Sequence, residues 1–155
     1  MLSCATKIFK MKSLLVFMFS GLMLISCISD DHRQNNPNLL NVNVNFMVDL
    51  SLPQYSNLKF PSNSVYVGQY GNGGIILMNT GSNYVAYDAA DPNHPRNDSC
   101  ISMEVVGDIR LKCSCEGNTY DLFTGNFIEG EDLEYTLYPY RVTDNGNGTL
   151  RITNR

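Results

Sequence analysis

Basic residues are scarce in this chain. Lysine and arginine together number 11, against 15 aspartate and glutamate residues, and the formal net charge is −4. Only 17% of the residues are charged. A protein that binds nucleic acid needs a basic surface that neutralises phosphates. The composition therefore predicts no nucleic-acid partner.

Histidine is rarer still, because His32 and His94 are the only two in the sequence. His32 lies in a polar stretch and is expected to be solvated, so His94 is the one histidine expected in the folded part. A metal centre that needs two imidazoles is therefore excluded. The sequence also lacks a phosphate-binding loop, a paired acid motif and a nucleophile–base arrangement, so no enzyme activity is predicted.

A long helical repeat of apolar residues is also missing after the first 26 positions. Glycine and asparagine are abundant, and six prolines favour short strands joined by turns. The length of 155 residues, with 43% apolar residues, allows one domain with a small core. These features predict an all-β domain.

Strands are indicated by two patterns. Apolar and polar residues alternate from Val42 to Leu50, which is typical of a half-buried strand, while Ile75–Met78 is entirely apolar and predicts burial on both faces. Pro53 and Pro61 bracket a predicted loop. Further strands are predicted at 65–67, 84–87, 103–106, 109–113, 127–128, 137–142 and 150–152.

The N-terminus predicts export. Three lysines precede the apolar run Leu14–Ile25, which is too short for a transmembrane helix, so residues 1–26 are predicted to be a signal peptide; translation starts at Met1 or Met11. The residues up to Cys27 resemble the bacterial lipobox, which implies a lipidated Cys27 and a membrane partner through that anchor. The alternative is a buried helix that ends in cysteine by chance.

The residues after Cys27 predict a flexible tether up to position 40, with the domain at 41–155, because residues 30–38 are polar and have no apolar period. Asp30 and Asp31 resemble the surface-export signal of Bacteroidetes lipoproteins. The expected location is the outer membrane, facing the periplasm or the cell surface.

The motif at residues 113–125 carries a further resemblance. Cys-Ser-Cys-Glu-Gly at 113–117, followed by Tyr-Asp-Leu-Phe-Thr-Gly at 120–125, resembles the second cluster-binding motif of Rieske iron–sulfur domains, Cys-Pro-Cys-His-Gly and then Phe-Asp-Leu-x-Thr-Gly. The resemblance extends over roughly Val65 to Ile152. It implies a Rieske-like antiparallel β-sandwich with two loops at the cluster site, similar to ferredoxin subunits of nitrite reductases and ring-hydroxylating dioxygenases.

The same resemblance places the cluster ligands at Asp91, Asn93, Cys113 and Glu116. A Rieske centre needs two thiolates and two imidazoles, and only Cys113 keeps its type. A cluster held by four thiolates is excluded too, since the chain beyond Cys27 has only three cysteines. Exported Rieske proteins also resemble twin-arginine substrates, and this N-terminus has no Arg-Arg pair. We therefore expect no cofactor.

The cysteines near the motif have separate expected roles. Some Rieske proteins carry an extra cysteine in each loop and join them, which implies a disulfide between Cys100 and Cys115. Cys113 is then either a buried inert thiol or a metal ligand or reactive thiol. Cys4 lies in the segment that is removed with the signal.

Two interpretations of the site stay open. Asp91, His94, Cys113 and Glu116 together suit a single zinc or iron ion, or else the two carboxylates are solvated at loop tips and His94 is a loop histidine. The predicted function is a lipid-anchored, non-catalytic binding or structural module with an unidentified protein or small-molecule partner. The alternative is an electron carrier whose [2Fe–2S] cluster is held by atypical ligands.

Overall fold

The structure is a computed structural model that describes residues 36–95 and 100–155. The predicted signal peptide, Cys27 and the first part of the tether lie outside the described residues. Within the described part, no helix is long and apolar enough to cross a bilayer. The elements are β1 (Asn45–Asp49), a 3₁₀ helix (Pro53–Lys59), β2 (Ser64–Val67), β3 (Ile75–Asn79), β4 (Tyr84–Asp88), β5 (Glu104–Val106), β6 (Arg110–Lys112), β7 (Thr119–Asp121), β8 (Phe127–Glu129), β9 (Pro139–Asp144) and β10 (Thr149–Thr153).

The strands form two antiparallel sheets. The larger has six strands in the order β1-β10-β9-β4-β3-β2, and the smaller has four in the order β5-β6-β7-β8. The predicted all-β class is confirmed. The loop predicted between Pro53 and Pro61 is wrong in part, because Pro53–Lys59 forms the 3₁₀ helix and buries Leu58 completely. Proline is tolerated at the start of a helix, where no N–H is needed.

The first core lies inside the six-stranded sheet. Val48 on β1 and Val67 on β2 come from the two edge strands and yet belong to the same buried cluster, which shows that the sheet is curled around its own core. The cluster contains Val44, Phe46, Val48, Leu50, Leu58, Val67, Ile75, Leu77, Ala86, Tyr140, Leu150 and Ile152.

The second core lies between the other face of β3–β4 and the four-stranded sheet. Ile76 and Met78 point into it, and Leu111 and Tyr120 meet them from the smaller sheet. All five residues of β3 are buried, so the predicted burial of Ile75–Met78 on both faces is confirmed.

A fully buried carboxylate fixes the end of β4 from which the next loop starts. Asp88 accepts hydrogen bonds from the N–H groups of Asn72, Gly73 and Ala90 and from the hydroxyl of Tyr140, at 2.7–3.0 Å. The turn before β3, strand β9 and the loop after β4 are therefore held at one point.

The described end of the predicted tether lies against the domain. The side chains of Asn36 and Asn38 both donate to the carbonyl of Pro92 at 2.9 Å. Leu40 donates its N–H to Oδ1 of Asn72 at 2.8 Å. The chain therefore enters the domain beside the loop that follows β4.

Candidate functional site

Two loops meet at one end of the domain. The first follows β4 and contains residues 89–95; the second is the turn between β6 and β7. The turn is closed because Gly117 donates its N–H to the carbonyl of Cys113 (2.9 Å) and Cys113 donates to the carbonyl of Asn118 (2.8 Å). Gly117 has a φ of 78°, which favours glycine. A disulfide joins Cys100 to Cys115, with their Cα atoms 6.4 Å apart.

Asp91 is the centre of the polar contacts between the loops. Its Oδ1 accepts from the Tyr120 hydroxyl at 2.6 Å and from the Asn93 N–H at 2.9 Å, and its Oδ2 accepts from Nδ2 of Asn118 at 2.9 Å. The residue is only 7% exposed. The interpretation of Asp91 as a solvated carboxylate at a loop tip is therefore wrong.

Asn93 extends these contacts to the segment before β9. Its Oδ1 accepts from the N–H groups of Glu134 and Tyr135, both at 2.8 Å. Its Nδ2 donates to the carbonyl of Tyr135 at 2.6 Å and to the Tyr120 hydroxyl at 2.9 Å. Both polar atoms of the Asn93 amide, at an expected ligand position, therefore have protein partners.

The two titrating groups beside Asp91 both hold their protons. Burial raises the pKa of Tyr120 far above its usual value; the hydrogen bond from Asn93 acts in the opposite direction, and the charge of Asp91 raises the pKa further. Burial also raises the pKa of the Cys113 thiol, against the lowering effect of the N–H groups of Glu116 and Cys115. Cys113 is 3% exposed, so its thiol is protected as well as protonated.

Glu116 and His94 lie at the outer side of the same loops. Nδ1 of His94 is 2.7 Å from Oε1 of Glu116, and the side chains are 12% and 47% exposed, respectively. Oε2 of Glu116 accepts a long hydrogen bond of 3.4 Å from Asn118. The His94–Glu116 pair therefore connects the two loops near the surface, and Glu116 also contacts Asn118.

The residues do not gather as the expected metal site. Within residues 36–95 and 100–155, no group of three or more histidine, cysteine, aspartate or glutamate side chains could hold a metal ion. The expected set of Asp91, His94, Cys113 and Glu116 is divided because Asp91 turns inward to Tyr120 and Glu116 turns outward to His94.

These residues also do not fit a Rieske centre. Asp91, Asn93 and Glu116 occupy the positions where the resemblance expects a thiolate and two imidazoles, and each has protein hydrogen-bond partners. Among the described residues, no buried side-chain nitrogen or oxygen atom is without a partner.

The sequence analysis missed four partners of the expected site residues: Asn118, Tyr120, Glu134 and Tyr135. Tyr120 belongs to the quoted motif and Asn118 lies between its two parts, but the contacts that give them a role reach back 29 and 27 residues to Asp91. No periodicity or spacing in the sequence signals such contacts.

Comparison with models of known protein families and with curated protein sequences gives no match. Similar solved structures include the ferredoxin of carbazole 1,9a-dioxygenase from Nocardioides aromaticivorans IC177, with 12% identity over 74% of this chain and 99% of that chain, at a TM-score of 0.45. An NADH-dependent nitrite reductase small subunit from Mycobacterium tuberculosis gives 14% identity over 74% and 98%, at 0.44. The quaternary ammonium Rieske monooxygenase CntA gives 17% over 68% and 30%, at 0.46. At these low identities and TM-scores, the similarity carries no inference about a cofactor or an activity of this chain.

Proposed function

We propose that this protein is a lipid-anchored domain of the cell envelope that holds no iron–sulfur cluster and acts as a non-catalytic binding or structural module. The observation that supports the proposal is the set of hydrogen bonds around Asp91. Both of its carboxylate oxygens are used by Tyr120, Asn93 and Asn118. Asp91 and Asn93, at two of the expected ligand positions, are thus bonded to each other and to Tyr120.

The chemistry of the donor set supports the same conclusion. Carboxylate oxygens are hard donors, and they would replace a soft thiolate and a neutral imidazole while adding negative charge to the centre. Binding a cluster through Asp91 would also break its present hydrogen bonds, and a hydrogen bond to a charged group contributes about 1.5–3 kcal/mol. The disulfide and these hydrogen bonds are proposed to join the two loops, instead of a metal centre.

The anchor and the location are proposed from the sequence. Cys27 stands at the position that is lipidated in a lipobox, and Asp30-Asp31 follows it closely. Asn36 and Asn38 already contact the domain through Pro92. Only the short segment between Cys27 and Asn36 would then separate the lipid from the folded part, on the outer membrane.

Iron analysis tests the proposal against the electron-carrier alternative. The full chain is expressed with excess iron and cluster-assembly machinery and purified in detergent, next to a Rieske ferredoxin as the positive control. We expect no stoichiometric iron, no visible absorption and no electron paramagnetic resonance signal after reduction with dithionite.

One result would overturn the proposal. A stoichiometric signal with the g-values of a [2Fe–2S] centre, lost in the Cys113→Ala variant, would establish the electron carrier with atypical ligands. Iron that washes out with a chelator and leaves no such signal would agree with the proposal, because it is not held as a cluster.

A further inference from the structure

Half of the basic side chains in the described part of the chain lie on one surface. The lysines and arginines of that part are Lys59, Arg110, Lys112, Arg141, Arg151 and Arg155. The last three come from β9, from β10 and from the residues that follow β10, and all three are exposed. We call Arg141, Arg151 and Arg155 the arginine face. It concentrates positive charge in a chain whose formal net charge is −4.

The alternation of side chains along β9 and β10 directs two of these arginines away from the first core. Successive side chains of a strand point to opposite faces of the sheet. Leu150 and Ile152 on β10 are buried in the first core, so Arg151 between them points outward. Tyr140 on β9 belongs to the same core, so Arg141, the next residue, points outward on the neighbouring strand.

The three arginines are also close to one another. Arg141 is opposite Thr153 in the register of β9 and β10, and Thr153 is two residues from both Arg151 and Arg155. Diagonal neighbours on antiparallel strands lie about 7–8 Å apart. Arg141 and Arg155 are the charged residues that line a cavity of about 430 Å³. The face can therefore present more than one guanidinium group to the same anion.

The outward side of β1, β10 and β9 is an open surface. The smaller sheet packs against β3 and β4, and among the described residues none from β1, β9 or β10 belongs to the second core. Met47 on β1 is opposite Arg151 and is 61% exposed. Nε of Arg151 donates to Oδ1 of Asn45 at 3.2 Å. This surface thus combines cations with a large apolar side chain.

The basic residues of the smaller sheet differ, because they have acidic neighbours. Lys112 is opposite Glu104 in the register of β5 and β6, and Arg110 is opposite Asp121 in the register of β6 and β7. Opposite charges that face each other across two strands attract one another. The positive charge on the smaller sheet is therefore largely balanced at its surface.

No acidic residue is opposite an arginine of the arginine face in the described registers. Arg151 is opposite Met47 on one side and Thr143 on the other, and Arg141 is opposite Thr153. Among the described residues, none of the three arginines forms an ion pair. Their positive charge is therefore available to an anion from outside the domain.

The arginine face lies next to the incoming chain. Arg155 lines a cavity of about 220 Å³ together with Asn36 and Leu40, and Leu40 is 63% exposed. Asp49 and Asp144 are the acidic residues of β1 and β9, and both pair with the first two residues of β10, at the opposite end from Arg155. The positive end of this surface is therefore the end where the tether begins.

The tether alone would not decide which surface of the domain faces a membrane. At about 3.5 Å per extended residue, the chain from Cys27 to Asn36 reaches at most about 30 Å, which is about the diameter of a small domain. The residue before Arg155 is fixed beside the incoming chain, because Asn154 accepts from the N–H of Val44 at 2.5 Å and donates to the carbonyl of Val42 at 2.9 Å. A contact of the arginine face with the membrane would hold one orientation.

We propose that the arginine face docks on the anionic phosphate head groups of the membrane that holds the lipid anchor. The guanidinium groups would pair with phosphate oxygens. Met47 and Leu40 would lie at the boundary between head groups and acyl chains, as apolar side chains beside cations do in interfacial helices. Stable attachment to a membrane commonly combines a lipid chain with a basic patch. The inference rests on the proposed anchor and adds the surface that orients the domain.

Paramagnetic nuclear magnetic resonance tests the docking on the ¹⁵N-labelled protein, as the cells process it, in lipid nanodiscs. One set of nanodiscs contains phosphatidylglycerol and phosphatidylcholine in equal parts, the other contains phosphatidylcholine only, and both carry a lipid with gadolinium on its head group. We expect the amide signals of Met47, Arg141 and Arg151 to broaden more than those of Arg110 and Lys112, in the anionic nanodiscs only. Salt at about 0.5 M should remove this difference, because exposed charges are then screened.

A triple variant removes the arginine face, with Arg141→Ala, Arg151→Ala and Arg155→Ala. It should lose the broadening, since each basic residue near an anionic surface strengthens binding about fivefold. The matched control carries Lys59→Ala, Arg110→Ala and Lys112→Ala, which remove the same charge from exposed positions elsewhere. The control should keep the broadening, and circular dichroism checks that both variants are folded.

Three results would overturn the proposal: no broadening in the anionic nanodiscs, equal broadening of the arginine face and the smaller sheet, or broadening that survives in the variant without the arginine face. Binding of a glutamate-rich peptide to these residues, without broadening by the anionic nanodiscs, would instead assign the face to an acidic protein. Retention of the protein in the nanodiscs reports on the anchor and is measured separately. If the protein is not retained, nanodiscs added in excess test the face through the same signals, so failure of the anchor is distinguishable from failure of the face.

Discussion

At the scale of single residues, Tyr120 is the contact that connects the two loops most directly. Its ring is completely buried, and its hydroxyl donates to Asp91 and accepts from Asn93. When a buried carboxylate loses one donor, the folded state loses the hydrogen bond and also bears the desolvation cost of the unsatisfied oxygen. Asn93 would at the same time lose an acceptor.

The raised pKa of Tyr120 has a consequence for alkaline stability. A group whose pKa is higher in the folded state holds its proton more tightly there than in the unfolded chain. Its stabilising contribution is complete below the ordinary tyrosine pKa of 10.0 and is lost as the pH rises above that value. Tyr140 shifts in the same direction, and Cys113 does so from an ordinary value of 9.0.

We predict that Tyr120→Phe lowers the free energy of unfolding at neutral pH by about 1–3 kcal/mol, because Asp91 loses its phenol donor. The fall in stability between about pH 9.5 and pH 11.5 should be smaller in the variant, since one group with a raised pKa is gone. Urea unfolding followed by circular dichroism measures both. Tyr138→Phe is the matched control, because no hydrogen bond of the Tyr138 hydroxyl is present among the described contacts. Equal losses in the two variants would contradict the role given to Tyr120.

At the scale of elements, the strands were predictable where a pattern of apolar residues is strong. The alternation around β1 and the apolar run of β3 identify both strands, and their burial follows the pattern. The 3₁₀ helix was missed because its seven residues bury only Leu58 and show no helical period. Short elements of this kind are fixed by tertiary contacts.

The candidate site was predictable only as a set of positions. The resemblance placed Asp91, Asn93, Cys113 and Glu116 in two loops, and the structure brings those loops together. It could not show that Asp91 is buried or that Tyr120 and Asn118 are its donors, since these bonds join residues far apart in sequence. A side chain's partner depends on rotamers and packing that spacing along the chain does not encode.

The disulfide between Cys100 and Cys115 links these loops covalently. Closing a loop of 15 residues can stabilise a domain by about 3 kcal/mol in the chain-entropy model. We expect the double variant Cys100→Ser and Cys115→Ser to unfold at lower urea concentration than the wild type, and to match the wild type treated with a reductant. Peptide mapping under non-reducing conditions checks the pairing. A bridge that contains Cys113, or three free thiols, would show that the assignment is wrong.

At the scale of the whole molecule, β3 and β4 connect the two cores. Leu77 belongs to the core inside the curled sheet, while Met78, the next residue, belongs to the core under the smaller sheet. Asp88 fixes the end of β4 where the loops and the incoming chain meet. Strand β4 therefore connects the entry point of the chain to both cores, since Ala86 lies in the first and Tyr87 in the second.

The proposed lipid anchor attaches the whole molecule to the membrane, and the Cys27→Ser variant tests it. The lipobox needs the Cys27 thiol as the acyl acceptor, and each buried methylene of an acyl chain contributes about 0.8 kcal/mol to membrane binding. We expect the variant to lose labelling by a radioactive fatty acid and to leave the membrane fraction. Cys4→Ser is the matched control, because Cys4 lies in the segment predicted to be removed with the signal, and it should keep both the label and the location. Unchanged labelling of the Cys27→Ser protein would refute the anchor.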